Sequence, residues 1–145
     1  MSAKDLRLYF LVQTAAAALK KRADDLLLTS TDLTTAQTAA MAIIAAREPL
    51  SMRALADALM QRESAMTTMI RRLEAKGLIT RTRAETDKRQ WQIALTPLGR
   101  AGLTKSRETF AKINAALDDA FSAAEQQSLA EDLTRLRALF GGAAR

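Results

Sequence analysis

Between Ser51 and Thr96 the spacing of apolar residues changes from a helical period to a strand period, and that change narrows the folds open to the chain. From Arg62 to Lys76, the residues Ala65, Met66, Met69, Ile70 and Leu73 recur at the i, i+3, i+4, i+7 spacing of an amphipathic helix. A shorter apolar-faced segment, Met52 to Leu59, precedes it and is capped by Ser51. Lys76-Gly77 closes the longer helix with a cation in its last turn and a glycine just past it. Ile79 to Arg83 and Gln90 to Leu95 then read as a hairpin around the charged loop 84–89. Trp91, Ile93 and Leu95 alternate with Gln90, Gln92 and Ala94, which places Trp91 in the core at the base of this hairpin. Helix, turn, helix and a basic-tipped hairpin together make a winged unit that reads DNA.

The polar side of the longer helix carries Ser64, Thr67, Thr68, Arg71 and Arg72. The hydroxyls suit base edges or a thymine methyl, and so specify loosely; the two arginines suit phosphates or base edges. On the hairpin loop, Asp87 and Arg89 are two residues apart and can share one side. A carboxylate beside a guanidinium holds its fork in one orientation, and an oriented Arg fits a narrow, electronegative minor groove. Arg81, Arg83 and Lys88 are expected as phosphate contacts. Charge supports the reading, because residues 51–96 hold nine bases and five acids and so carry four of the chain's six net positive charges.

The run Leu73-Glu74-Ala75-Lys76-Gly77-Leu78-Ile79, the later Asp87-Lys88-Arg89, the segment Leu95-Thr96-Pro97-Leu98-Gly99 and the upstream Leu33-Thr34-Thr35-Ala36-Gln37 carry a resemblance to a known family. Together they resemble the multiple antibiotic resistance regulator (MarR) family. The resemblance implies a dimeric, ligand-responsive transcriptional regulator, a repressor on a pseudo-palindromic double-stranded operator, with both chain ends in a dimer layer. It also implies a small anionic aromatic effector between that layer and the winged unit, in a crevice lined by the first, second and fifth helices. Tyr9, Phe10, Met41 and Arg47 fall near it but read better as core or surface, so no ligand site is assigned. The chain departs from the family pattern in the turn before the longer helix, where Met60, Gln61 and Arg62 replace a glycine, an apolar residue and a small polar cap. Arg62 is a poor cap, but it stands where a recognition helix meets base edges, so it is expected to reach a guanine or a phosphate.

Outside the winged unit the chain reads as helix. Residues 5–28 form an Ala-rich first helix with apolar positions from Leu8 to Leu26, followed by a Thr29-Ser30-Thr31-Asp32 loop. Thr34 and Gln37 form a capping box for a second helix ending near Arg47, where Glu48-Pro49 stops it. Thr96-Pro97 starts a helix running to about Phe121, Ser122 and Glu125 box the last one, and Gly141-Gly142 ends it. The end helices are too long and apolar for the small winged unit to cover, so a second copy is expected to cover them. The expected fold is mostly α with a small β-wing: one domain over 1–145, a winged helix-turn-helix over 33–96, and dimerisation helices at 1–30 and 100–145.

The absence of Cys and His excludes disulfides, thiol redox sensing, thiolate metal sites and imidazole catalysis. With no glycine-rich phosphate loop either, neither an enzyme nor a cofactor is expected. The Leu8–Leu19 run is not read as a signal peptide, because Asp5 precedes it and Lys20-Lys21-Arg22 follows it. No apolar run approaches about 18 residues, so no membrane partner is expected, and the chain is read as cytoplasmic. Two other readings stay open: an architectural DNA-binding protein of low sequence specificity, and a dimer of this type acting through a protein partner.

Overall fold

The computed structural model describes residues 7–141. Its elements are α1 (Arg7–Ser30), α2 (Thr35–Arg47), β1 (Leu50–Ser51), α3 (Met52–Ala58), α4 (Glu63–Ala75), β2 (Ile79–Arg83), β3 (Trp91–Leu95), α5 (Pro97–Ala120) and α6 (Ala123–Phe140). This is a mostly helical chain with a small antiparallel sheet, as the sequence led us to expect. The expected helix start at residue 5 and the closing Gly142 lie outside the described residues.

Hydroxyl caps set most of the helix starts. Thr34 accepts from the Gln37 N–H while the Gln37 side chain accepts from the Thr34 N–H, and Ser122 and Glu125 repeat the arrangement at α6. Ser51 caps α3 through the Ala54 N–H, and Thr96 caps α5 through the Gly99 N–H. The first helix runs two residues further than expected. The hydroxyls of Thr29 and Ser30 donate back to the carbonyls of Asp25 and Leu26, so they continue the helix and do not open the loop.

The core lies inside the winged unit. Leu33, Met41 and Ile44 meet Leu55, Ile70, Leu73, Ile79 and Ile93, all fully buried or nearly so, and each such side chain contributes on the order of 1.5–3 kcal/mol. The helical spacing on α4 resolves as Met66, Ile70 and Leu73 buried and Met69 packed at the margin, while Ala65 is exposed. The sheet has the order β1-β3-β2. Its two-residue β1 was not anticipated: Leu50 pairs with Ile93, which completes the sheet under the helices.

Two glycines set how closely the recognition helix, the wing and α5 approach. Gly77 turns the chain out of α4 with φ +71, a conformation that side chains disfavour. At Gly99 a Cβ would lie 2.0 Å from the Leu78 carbonyl oxygen, so the first turn of α5 rests directly on the turn after α4. Glu48 adds a polar tie: its carboxylate accepts from the Leu95 N–H at 2.8 Å and pairs with Arg100, joining the end of α2 to β3 and α5.

The ends of the chain are covered much less. Leu8 is 68% exposed, Leu129 46% and Phe140 78%, and α6 buries no residue at all. One firm link runs from α1 to the winged unit. Asp24 accepts from the backbone N–H and the hydroxyl of Thr35 at the start of α2, both at 2.6 Å, and from Lys20 at 2.5 Å. Burial pushes this carboxyl up, but those hydrogen bonds and the nearby ammonium outweigh it and hold it at about 2.

Candidate nucleic-acid interface

Helix α4 offers one polar face to solvent. Ser64, Thr68, Arg71 and Arg72 are exposed there, at the spacing that stacks residues on a single helix side. Thr67 belongs to the same face but is half-buried, and its hydroxyl donates to the Glu63 carbonyl at 3.1 Å. Arg62 is the N-cap residue, with extended dihedrals (φ −74, ψ 144) and no side-chain cap bond. It stands exposed at the N-terminal end of the helix, as the sequence led us to expect. Just before it Met60 takes φ 53, the left-handed turn that the family pattern fills with glycine.

The cations of this region fall into two groups. Lys76 is held by Asp32, and the Arg81 guanidinium is held by Glu74 of α4 through Nε and Nη2 at 2.9 and 2.8 Å. Among the described residues no carboxylate pairs with Arg62, Arg71, Arg72, Arg83, Lys88 or Arg89. Cations left without counterions on the exposed side of a helix and its adjoining hairpin form an electropositive surface suited to a polyanion.

The wing departs from the expectation at three residues. First, Asp87 does not clamp the Arg89 guanidinium: its Oδ1 accepts from the Arg89 backbone N–H at 2.9 Å. A short acidic side chain in a tight loop reaches the N–H two residues on more readily than a long flexible guanidinium. Asp87 therefore shapes the loop and leaves the Arg89 side chain without a carboxylate partner among the described residues. Second, Trp91 is not core. It faces the same side as the buried Ile93 and Leu95 but lies at the outer end of the strand, past the edge of the core, and is 37% exposed. Third, Arg81 was expected to stand free for phosphate, but it is partly buried and its guanidinium is tied to Glu74 of α4.

Glu74 and Trp91 were not identified as site residues from sequence. The strand bounds read from sequence set Arg83 opposite Gln90; the structure shifts the register by one residue, so that Arg83 stands directly opposite Trp91 and Arg81 lies on the same face one pair closer to the core. Among the described residues no cluster of His, Cys, Asp or Glu could hold a metal ion, and no helix is long and apolar enough to cross a membrane.

Comparison with known proteins agrees with this geometry. The MarR family model matches residues 33–91. Among curated proteins, none matches the chain in sequence. Among solved structures, the fold is shared with a Staphylococcus aureus MepR–DNA complex, at 24% identity over 91% of this chain and 97% of that one, TM-score 0.84. It is shared with a mutant Escherichia coli MarR complexed with operator DNA, at 22% identity over 92% of this chain and 95% of that one, TM-score 0.86. CouR, a transcriptional repressor bound to a 23-mer DNA duplex, has TM-score 0.86 at 22% identity, over 94% of this chain and 97% of that one. The winged helix-turn-helix of this chain is thus similar in sequence to the MarR family over residues 33–91, and the fold that extends from it in both directions is the one seen in the solved MepR and MarR structures.

Proposed function

We propose that the protein is a homodimeric transcriptional regulator that binds a pseudo-palindromic duplex and represses the genes beside it. The observation that carries the reading is the set of cations on α4 and the wing, Arg62, Arg71, Arg72, Arg83, Lys88 and Arg89, that pair with no carboxylate among the described residues. In this account α4 enters the major groove. Ser64, Thr67 and Thr68 meet base edges, and Arg62, Arg71 and Arg72 meet phosphates or base edges. Arg83 and Lys88 bind phosphate, and Arg89 enters the minor groove from a loop that Asp87 holds in shape. Support comes from MepR, MarR and CouR, each solved on DNA with this fold; repression is carried over from CouR.

Dimerisation is supported by the uncovered apolar residues of α1 and α6. An α6 with no buried residue in one chain gains its core from another copy, and a two-fold dimer matches a two-fold duplex. Relief by a small ligand is supported by a hollow of about 280 Å³ between α2 and α5. Thr38, Ala42, Leu103, Ser106, Arg107 and Phe110 line it. An arginine beside an aromatic ring in an otherwise apolar lining suits a small anion carrying an apolar ring. Tyr9 and Phe10 are exposed on α1, Met41 is core and Arg47 is on the surface, so none of these lines that hollow.

The test is binding to the DNA flanking the gene, against random duplex of equal length at physiological salt. The regulator reading expects a specific affinity about 10³-fold or more above the non-specific one. A ratio near one with a steep salt dependence would identify an architectural protein, and no binding to either duplex would leave the protein-partner reading.

A further inference from the structure

Four side chains form a continuous chain of contacts from the recognition helix to the tip of the wing. Glu74 on α4 holds the Arg81 guanidinium. The Arg81 Cζ lies 5.0 Å from the centre of the Trp91 ring, and the Arg83 Cζ lies 3.9 Å from it. Arg83 then donates from Nη1 to the carbonyl of Arg89 at 3.3 Å. Two guanidiniums repel each other when free; drawn to one indole, and with one of them neutralised by a carboxylate, they are held together.

We propose that Trp91 is the positioning residue of the wing. It fixes Arg81 and Arg83 on one ring, so that the loop carrying Arg89 keeps a set distance from α4. Arg81 acts through this stack and touches no phosphate. The inference rests on the DNA-reading function proposed above and adds a mechanism to it. A hairpin projecting beyond its core has little to hold it, and the buried Ile93 is the last core residue of β3 before the tip. The stack extends the ordered face by one more pair, so the helix and the wing reach the duplex in one geometry. Ordering the loop before binding removes that cost from the binding step.

Trp91 is the only tryptophan in the chain, so its fluorescence reports the stack directly. The experiment measures acrylamide quenching of the free wild type, Arg81→Gln and Glu74→Gln, then duplex affinity across a salt series for these three and for Trp91→Phe and Trp91→Ala. Thermal melting identifies any variant that fails to fold. In the free protein, Arg81→Gln and Glu74→Gln are expected to raise quenching, because the ring loses its cover. In the salt series, Arg81→Gln and Trp91→Ala are expected to lower affinity by roughly two- to fivefold, the range of exposed cation–π contacts. The slope of log affinity against log salt stays unchanged, because no phosphate contact is lost. Trp91→Phe, which keeps an aromatic face, should recover much of the affinity that Trp91→Ala loses. A slope lower by about one in Arg81→Gln would make Arg81 a direct phosphate contact and overturn the proposal. Unchanged quenching in both Arg81→Gln and Glu74→Gln would overturn it as well. A wild-type chain that bound no duplex would remove the DNA-reading function itself, and the quenching comparison would still decide whether the stack exists.

Discussion

Replacing Arg62 with Ser separates stability from binding. Thr34, Ser51, Thr96 and Ser122 each cap their helix with a hydroxyl accepting a backbone N–H, whereas α4 starts at Arg62 with no such bond. The Arg62 backbone already has cap geometry, with ψ 144 against 159 at Ser51, so a Ser hydroxyl can reach the Ala65 N–H without rearrangement. A good cap in place of a poor one is worth about 1 kcal/mol, and removing a cation from the positive end of the helix adds roughly 0.3–1 kcal/mol at an exposed site. Arg62→Ser should therefore stabilise the fold by about 1–2 kcal/mol, which at this chain length raises Tm by roughly 3–6 °C. Operator affinity should fall over the same substitution. If Arg62 reads a guanine, discrimination at one base pair drops by about 1–3 kcal/mol; if it binds phosphate, all sequences weaken together and the salt slope falls by about one. Calorimetric melting and a salt series on operator and random duplex give both readings. A variant no more stable than the parent would refute the capping argument. One with unchanged affinity for both duplexes would remove Arg62 from the interface.

Arg89→Ala should lower the salt slope by about one, and its cost in stability should stay within about 0.5 kcal/mol because the residue is exposed on a loop. Asp87→Ala should weaken binding less and leave the slope unchanged, since Asp87 holds the Arg89 N–H and not its guanidinium; a titration series on duplex separates the two. Deleting residues 123–145 should abolish dimerisation and specific binding together, and a folded monomer with full operator affinity, seen by sedimentation, would refute this. The Asp24 carboxyl titrates at about 2 in the folded chain against 3.8 ordinarily, so its contribution is complete above about pH 4 and is lost as pH falls towards 2. That contribution is worth up to about 2 kcal/mol, and acid melting of Asp24→Asn should lack this part of the pH dependence.

The elements that were legible in sequence are those where one local rule decides. The capping boxes at Thr34 and Ser122, the Thr96-Pro97 start and the glycine after Lys76 each fix a boundary through bonds within a few residues. The core face of α4 followed from spacing alone. What was missed depends on contacts distant in sequence. The short β1 exists because Leu50 meets Ile93, 43 positions away, and two residues carry no periodicity of their own. Trp91 kept the strand alternation, but alternation says which face a residue takes and not how far the core extends along it. The Asp87–Arg89 spacing suggested a carboxylate–guanidinium pair, and the geometry shows that Asp87 instead accepts from the Arg89 backbone N–H. Glu74 looked like one acid among five until the hairpin placed Arg81 against it.

The central claim is that two copies of this chain read one duplex through α4 and the wing. Footprinting on the DNA flanking the gene tests it most directly, with the duplex repeated after a half-turn insertion between the protected segments. The account predicts two protected half-sites about one helical turn apart, related by a two-fold axis, and loss of specific binding when five base pairs rotate them to opposite sides. A single protected segment, or two that tolerate the insertion, would contradict it.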